Sequence, residues 1–261
     1  MAYIQDEYIF PNSIEVEIKW AGNYGAKGEK RAPREKATPQ QIEKQNQWKK
    51  ENEVRRLLKL NFNLGDFWIT LTYPQGTRKE IREVKKDIAK LNRFLRSKYK
   101  KLDIPFKWIR RVEIGSLGGI HVHMIVNQVR GEPIDMLIQE RWHQLTGGRA
   151  HYERYQGDEE SARKVGDYLV KPLTEQQEKI LEDRGWDKSE LVGYSTSRNL
   201  IRPEPVRKEY KRRTMQRVIE TGEPQAREGY YIDKNSIVFG VNRFTGLSYL
   251  YYTELKGGGI T

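Results

Sequence analysis

The run Gly118–Val126, with the sequence GGIHVHMIV, constrains the fold more than any other part of the chain. β-Branched and apolar residues that follow a pair of glycines predict a β-strand. Because successive side chains of a strand point to opposite faces, His121 and His123 project from one face with Ile125. The other face is wholly apolar and belongs against a core. The strand therefore presents two imidazoles side by side on its second face.

A second strand is predicted immediately before this one, ending at Glu113, and the glycine-rich stretch between them indicates a hairpin. A turn centred near Leu117 places Glu113 opposite His121 and Arg111 opposite His123. Two neutral imidazoles and a carboxylate suit a divalent metal ion and leave positions open for a substrate. The alternative for Glu113 is a solvated strand end.

Charge and aromatic content indicate the kind of partner. The 261 residues include 48 Lys and Arg against 36 Asp and Glu, for a net charge of +12, with 15 Tyr, 6 Trp and 7 Phe. This combination favours a polyanion whose bases can stack, although basic proteins also bind acidic proteins or membrane surfaces. The absence of Cys excludes disulfides and thiolate metal sites. No apolar run approaches the roughly 20 residues of a membrane span, and we expect a cytoplasmic protein.

The sequence predicts three parts. Residues 1–62 form a basic N-terminal extension, residues 63–203 a central domain, and residues 204–261 a C-terminal extension with a basic helix and a β-hairpin. Within the first part, residues 41–60 have a helical pattern with few apolar positions. This segment is either an arm that contacts a polyanion or a helix with a solvated face.

The central domain has the element order β-α-β-β-α-β. The outer strands are predicted at Phe67–Tyr73 and Ala150–Tyr155, and the helices follow a capping box at Thr77 and span Pro133–Thr146. This order predicts an α+β fold, a ferredoxin-like split βαβ sandwich with a central antiparallel sheet. Helices are expected on one face of the sheet, and the open face is expected to carry the histidines.

A third helix is predicted from about Glu159 to Lys171. Tyr168 and Lys171 are three residues apart and Lys164 lies one turn before Tyr168, so the three side chains share one edge. Two neighbouring ammonium groups would favour the phenolate and make Tyr168 a candidate nucleophile. Ordinary packing is the alternative, because the chain has 15 Tyr.

A small, polar and basic segment follows at 193–203. Its hydroxyl and guanidinium groups, at Ser195, Ser197 and Arg198, suit phosphate recognition. An ordinary ordered loop fits the same composition.

Three of these segments, taken in order, resemble the motifs of a known family. The strand Phe67–Tyr73, the HxH strand at His121–His123 and the YxxK helix at Tyr168–Lys171 look like the three motifs of HUH-superfamily rolling-circle replication initiators. In the replication-associated proteins of bacterial phages, plasmids and mobile elements, a segment like Tyr194–Asn199 also follows the tyrosine motif. The resemblance covers about residues 66–203.

The resemblance implies a site-specific single-strand DNA endonuclease and strand-transferase. It implies that His121 and His123 bind a divalent ion, Mg²⁺ or Mn²⁺, with Glu113 as the third ligand. Tyr168 would be the nucleophile and Lys171 its neighbouring helper, giving a 5′-phosphotyrosine and a free 3′-OH.

Some relatives carry two catalytic tyrosines on this helix, whereas this chain has Lys at 164 and Pro at 172, so one covalent step per site is expected. The implied partners are single-stranded DNA at a replication origin, in a stem-loop, and a host helicase and polymerase. The residues expected to contact DNA are Lys164, Arg111, Arg198, Ser195 and Ser197.

Two other functions fit part of this pattern. A single-tyrosine HUH transposase would make the same cut, although small transposases have little outside the catalytic domain. A relaxase is disfavoured because relaxases generally place the tyrosine before the histidines. A non-catalytic module that binds single-stranded nucleic acid would need exposed aromatic residues on the open face of the sheet.

Overall fold

The computed structural model describes residues 3–21, 36–187, 191, 193–210, 218, 221–242, 244 and 246–257. These residues form an α+β fold with two five-stranded antiparallel sheets. The chain divides into two compact units: the central unit, Asn46–Arg202, and the terminal unit, which consists of Met1–Gln45 and Pro203–Thr261. None of the helices in the described part of the chain has both the length and the apolar character needed to cross a membrane.

In chain order, the helices and strands are β1 (Tyr3–Ile9), β2 (Ser13–Trp20), α1 (Pro39–Asn61), β3 (Phe67–Thr72), α2 (Ile81–Lys101), β4 (Trp108–Ile114), β5 (Ile120–Val126), α3 (Ile134–Thr146), β6 (Arg149–Arg154), α4 (Glu159–Val170), α5 (Glu175–Arg184), β7 (Ser195–Thr196), β8 (Val206–Tyr210), β9 (Tyr230–Asn242) and β10 (Leu247–Lys256).

The central sheet has the strand order β6-β3-β5-β4-β7, and all its neighbouring pairs are antiparallel. The connection β3-α2-β4 leaves room for β5 between its two strands, as does β5-α3-β6 for β3, which is the split βαβ arrangement. The predicted fold class is confirmed. In the β4–β5 hairpin, Glu113 lies opposite His121 and Arg111 opposite His123, as the strand alternation predicted.

Helices α2 and α3 cover one face of this sheet. Apolar side chains of β3 and β5 meet those of α2 at helical spacing, in a core that includes Ile69, Leu71, Val122, Met124, Val84, Ile88 and Leu91. The capping box of α2 lies one turn later than predicted. Glu80 is the N-cap and Glu83 completes the box, whereas Thr77 lies in a turn with its N–H bonded to the carbonyl of Pro74.

Helices α1 and α4 pack on part of the opposite face, so the prediction of helices on one face only was wrong. Ile109 and Ile125 of the sheet meet a second core supplied by these helices, with Val54, Leu57, Leu58, Ala162, Val165 and Leu169. The two helices approach closely, because a Cβ at Gly166 would lie 2.7 Å from Cγ of Arg55. From Asn46, α1 therefore belongs to the central unit rather than to an extension that ends at residue 62.

The terminal unit joins both ends of the chain in one sheet, with the strand order β8-β1-β2-β10-β9. Its core includes Tyr3, Val16, Ile18 and Leu250. The predicted C-terminal hairpin corresponds to β9 and β10. A basic helix was predicted from residue 204, but Val206–Tyr210 forms strand β8 against β1. The rest of that predicted helix lies largely outside the described residues.

Candidate active site

The HxH strand, the strand before it and the end of α4 bring their polar side chains together. The hydroxyl of Tyr168 donates a hydrogen bond to Oε2 of Glu113 at 2.7 Å and lies 3.0 Å from Nε2 of His123. Nζ of Lys171 lies 2.6 Å from the other oxygen of Glu113. The ring of His121 stands beside that of His123, with centroids 6.3 Å apart. The structure thus unites a phenol, a carboxylate, an ammonium group and two imidazoles.

Helix α4 delivers Tyr168 because both of its ends are fixed. Asp158 caps the first turn by accepting a hydrogen bond from the N–H of Ser161 at 2.7 Å. The helix ends at Val170, and Lys171 has an extended backbone before Pro172, which cannot continue a helix.

Arg111 lies beneath this helix end, with 1% of its surface exposed. Its guanidinium group donates to the carbonyls of Tyr168 and Lys171, which are among the last carbonyls of the helix and the residue after it. Arg111 was predicted to contact DNA, but the structure buries it and uses it to hold the helix end over the sheet.

Glu113 is ionised and held from several sides. Burial would raise its pKa, but hydrogen bonds from His123, Lys171 and Tyr168 and the charge of Lys171 hold it well below the usual range. Gln177, at the start of α5, donates to Oε1 of Glu113 at 3.1 Å and to the carbonyl of Ile114 at 2.6 Å. Gln177 was not identified from the sequence.

The environment raises the pKa of Tyr168. Burial is the largest cause, followed by the hydrogen bond to Glu113 and the charge of that carboxylate. The prediction that two lysines favour the phenolate was therefore wrong. Lys164 is solvent-exposed and pairs with Glu160 at 2.7 Å. Lys171 pairs with Glu113, and its ammonium group also lies 4.0 Å from the centroid of the Tyr168 ring.

Strand β3 holds the histidine of this cluster. The hydroxyl of Thr70 lies 3.0 Å from Nδ1 of His123. The ring of Trp68 stacks on His123 at a centroid distance of 6.0 Å and meets Tyr168 edge-on at 5.8 Å. The sequence placed Thr70 on the histidine face of the sheet, but no pattern revealed that Trp68 shares that face with the phenol.

The donor atoms fit a divalent metal ion in their chemistry. Within the described residues no set of three His, Asp or Glu side chains is arranged to hold an ion. Nε2 of His123 and Oε2 of Glu113 nevertheless lie 3.0 Å apart. Burial and the neighbouring His123 lower the pKa of His121, which keeps its imidazole neutral at pH 7. A Cβ at Gly115 would lie 3.2 Å from Nε2 of His121, so this glycine leaves the nitrogen accessible.

Two cavities adjoin the cluster. One, of about 320 Å³, is lined by the β4–β5 turn and His121. The other, of about 520 Å³, is lined by Trp68, Tyr168 and Lys164. A strand of a polymer could therefore approach the phenol from either side.

The other residues predicted to contact DNA lie elsewhere. Ser195, Ser197 and Arg198 belong to the β7 segment, which pairs with β4 at Ile109 and Arg110, toward the end of the strand remote from Glu113. The hydroxyl of Ser197 accepts a hydrogen bond from the N–H of Trp108 at 3.2 Å and is buried. The structure does not bring these three residues to Tyr168.

A split βαβ sheet that carries a phenol, two imidazoles and a carboxylate on one face has the groups needed for phosphodiester chemistry. Residues 66–177 match the family model described as replication-associated protein ORF2/gene II protein. The matched segment begins just before β3 and ends at Gln177, so it includes Tyr168, Lys171 and the HxH strand. This match supports a role in DNA replication, at its initiation. The chain matches none of the curated proteins and none of the solved structures with which it was compared.

Proposed function

We propose that the protein is a site-specific single-strand DNA endonuclease and strand-transferase of the HUH type that initiates rolling-circle replication. The observation that supports this most directly is the position of the Tyr168 hydroxyl, within hydrogen-bond distance of both Glu113 and His123. A nucleophile must be held beside an acceptor for its proton, and here the acceptor is a carboxylate with a low pKa.

In the proposed reaction, Oη of Tyr168 attacks the phosphorus atom in line with the bond to the 3′ oxygen. The new P–O bond forms a 5′-phosphotyrosine, and the 3′ oxygen leaves with the electron pair of the broken bond and takes up a proton. The phenol proton passes to Glu113, its hydrogen-bond acceptor. Because the pKa of Tyr168 is raised, this transfer accompanies the attack rather than preceding it. Lys171, beside the phenol, stabilises the developing negative charge.

His121, His123 and Glu113 would hold Mg²⁺ or Mn²⁺. A bound ion of this kind supplies Lewis-acid polarisation of a phosphate oxygen. An imidazole nitrogen has a single lone pair, so Nε2 of His123 can either ligate an ion or accept a hydrogen bond from the Tyr168 hydroxyl. The contact between these two side chains is therefore one that the loaded protein gives up.

The proposed substrate is single-stranded DNA at a replication origin, exposed in a stem-loop. The surplus of twelve positive charges supplies affinity that does not depend on sequence and that falls steeply with salt. The covalent bond conserves the energy for rejoining the strand, and the free 3′-OH can prime a host polymerase behind a host helicase.

The test is a nicking assay with an end-labelled origin oligonucleotide and Mn²⁺. Tyr168→Phe removes only the hydroxyl, and we expect nicking to fall at least about a thousandfold, to near background. Tyr152→Phe is the matched control, because its hydroxyl bonds the carbonyl of Asp135 on the far side of the sheet. Nicking by Tyr168→Phe at the rate of Tyr152→Phe would overturn the proposal.

A further inference from the structure

A second groove lies on the central unit, away from Tyr168. It has a volume of about 940 Å³ and is lined by the last turns of α2, the start of β4 and the β7 segment. Trp108, in its wall, stands an odd number of residues from Glu113 along β4, so its side chain points to the opposite face of the sheet. The groove is therefore separate from the candidate active site.

The groove carries unpaired positive charge. Arg96 and Lys100 lie one turn apart on α2, and Arg198 lies on the β7 segment. All three side chains are exposed, and within the described residues none of them forms an ion pair. One acidic residue, Asp103, is among the lining side chains. Unpaired exposed cations that converge on a groove favour a polyanion there.

The exposed side of α2 extends this positive surface along the helix. Its 21 residues span about 30 Å. The further exposed cations on it are Arg82, Lys86, Lys90, Arg93 and Lys101.

The aromatic residues of the groove cannot serve as a stacking platform for bases. Phe106 is 6% exposed and Trp108 is 8% exposed, and the guanidinium group of Arg110 lies 4.7 Å from the centroid of the Trp108 ring. Single-stranded nucleic acid is bound largely by stacking on exposed aromatic side chains. The groove therefore suits a regular phosphate backbone better than an unpaired strand.

The polar side chains of the β7 segment are also engaged. The amide of Asn199 donates to the carbonyl of Phe106 at 3.1 Å, and the hydroxyl of Ser197 accepts from the N–H of Trp108. These bonds fix the segment along β4 and hold Arg198 at the rim of the groove. Few groups remain for reading base edges, so recognition here depends on charge rather than on sequence.

We propose that this groove is a docking site for the phosphate backbone of double-stranded DNA. Arg96, Lys100 and Arg198 contact phosphates, and the exposed cations of α2 extend the contact along the duplex. The site binds duplex independently of DNA cleavage by Tyr168, so its failure and the failure of the proposed nicking activity are separate results.

The experiment measures binding of a 20-base-pair duplex of arbitrary sequence by fluorescence anisotropy in EDTA, where metal-dependent cleavage cannot occur. The variant is Arg96→Gln with Lys100→Gln and Arg198→Gln in the full chain. We expect its affinity to fall at least about tenfold, and the slope of log K against log salt to shrink by about 3, because each phosphate contact contributes about 0.9.

The matched control changes the same number of charges elsewhere: Lys49→Gln with Lys50→Gln and Lys179→Gln, all exposed and outside the groove. The proposal is overturned if the two triple variants bind duplex equally, or if the groove variant loses affinity only for a 20-nucleotide single strand. The single variant Arg198→Gln provides a second measurement, because it leaves α2 intact. It must lower duplex affinity while Arg198→Lys restores it.

Discussion

At the scale of single residues, Glu113 connects the candidate nucleophile to the rest of the site. Its two oxygens contact Tyr168, His123, Lys171 and Gln177, which come from three other elements. A carboxylate held by so many donors stays ionised and keeps one geometry. The position of the phenol is therefore set by α4 and by this carboxylate together.

Thr70 fixes the ring of His123 through its hydroxyl. Thr70→Val keeps the shape of the side chain and removes the partner of Nδ1. Because the partner of the second ring nitrogen orients a metal-binding imidazole, we expect Mn²⁺ affinity to fall about tenfold to a hundredfold, as measured by calorimetry. Thr72→Val is the control, since the hydroxyl of Thr72 bonds the carbonyl of Arg149. Equal affinities of the two variants would show that Thr70 has no such role.

Residue chemistry and strand alternation predicted which side chains the site would contain, but not the state of Tyr168. His121, His123 and Glu113 could be placed on one face because a strand has a period of two and the turn fixes the register. The raised pKa of the phenol depends on burial and on which partner Lys171 chooses, and both are tertiary facts. Gln177 and Trp68 likewise gain their roles only from contacts between distant segments.

At the scale of elements, the capping and the coverage of the sheet differ from the prediction for physical reasons. Both Thr77 and Glu80 are followed three residues later by a Glu, and local sequence does not decide between them. Helix α1 is mostly charged, and its fully buried apolar side chains Val54, Leu57 and Leu58 are confined to its last two turns. That short stripe gave little indication that α1 packs on the sheet.

The junction between α3 and β6 leaves no room for a side chain at Gly148. A Cβ there would lie 1.9 Å from the carbonyl oxygen of Thr72 and 2.7 Å from Nε1 of Trp142. These two atoms are already joined by a hydrogen bond of 2.8 Å. Gly148→Ala must therefore shift backbone, and we expect it to lower the free energy of unfolding by about 3 kcal/mol in urea.

Gly185→Ala is the comparison for this prediction. Gly185 has a φ of 62° but nothing within 4 Å of a new Cβ, so the substitution costs only the left-handed conformation, about 1 kcal/mol. If Gly148→Ala were no less stable than Gly185→Ala, the close packing at this junction would be incorrect.

At the scale of the whole molecule, the two chain ends form a unit that the sequence did not reveal. Strand β1 pairs with β8, about 200 residues away, and β2 pairs with β10. Such pairings leave no periodic signal, and buried charges further obscure β1. Asp6 forms a bidentate ion pair with Arg207 and a second pair with Lys19, while Glu7 pairs with Lys208 and Arg227.

These ion pairs make the stability of the terminal unit depend on pH. Burial would raise the pKa of Asp6 and of Glu7, but the hydrogen bonds and charges of their partners lower both pKa values below the ordinary 3.8 and 4.5. The stabilisation is therefore fully present above about pH 5 and is lost as the pH falls through the lowered values. Asp6→Asn should destabilise this unit by about 2 kcal/mol at pH 7 and weaken the acid dependence.

Hydrogen exchange of the β1 amides between pH 7 and pH 3 measures this effect. Asp183→Asn makes the same chemical change at an exposed position of the central unit and should alter nothing in β1. Protection of β1 that is the same in Asp6→Asn and in Asp183→Asn would contradict the role assigned to the ion pairs.

The central claim is that Tyr168 becomes covalently attached to DNA. The direct measurement is a denaturing gel of the protein incubated with a labelled origin oligonucleotide and Mn²⁺, followed by mass spectrometry of the adduct peptide. We expect DNA linked through its 5′ phosphate to the peptide that contains Tyr168, and no adduct from Tyr168→Phe. An adduct on a different residue, or cleavage that leaves no adduct at all, would contradict the account.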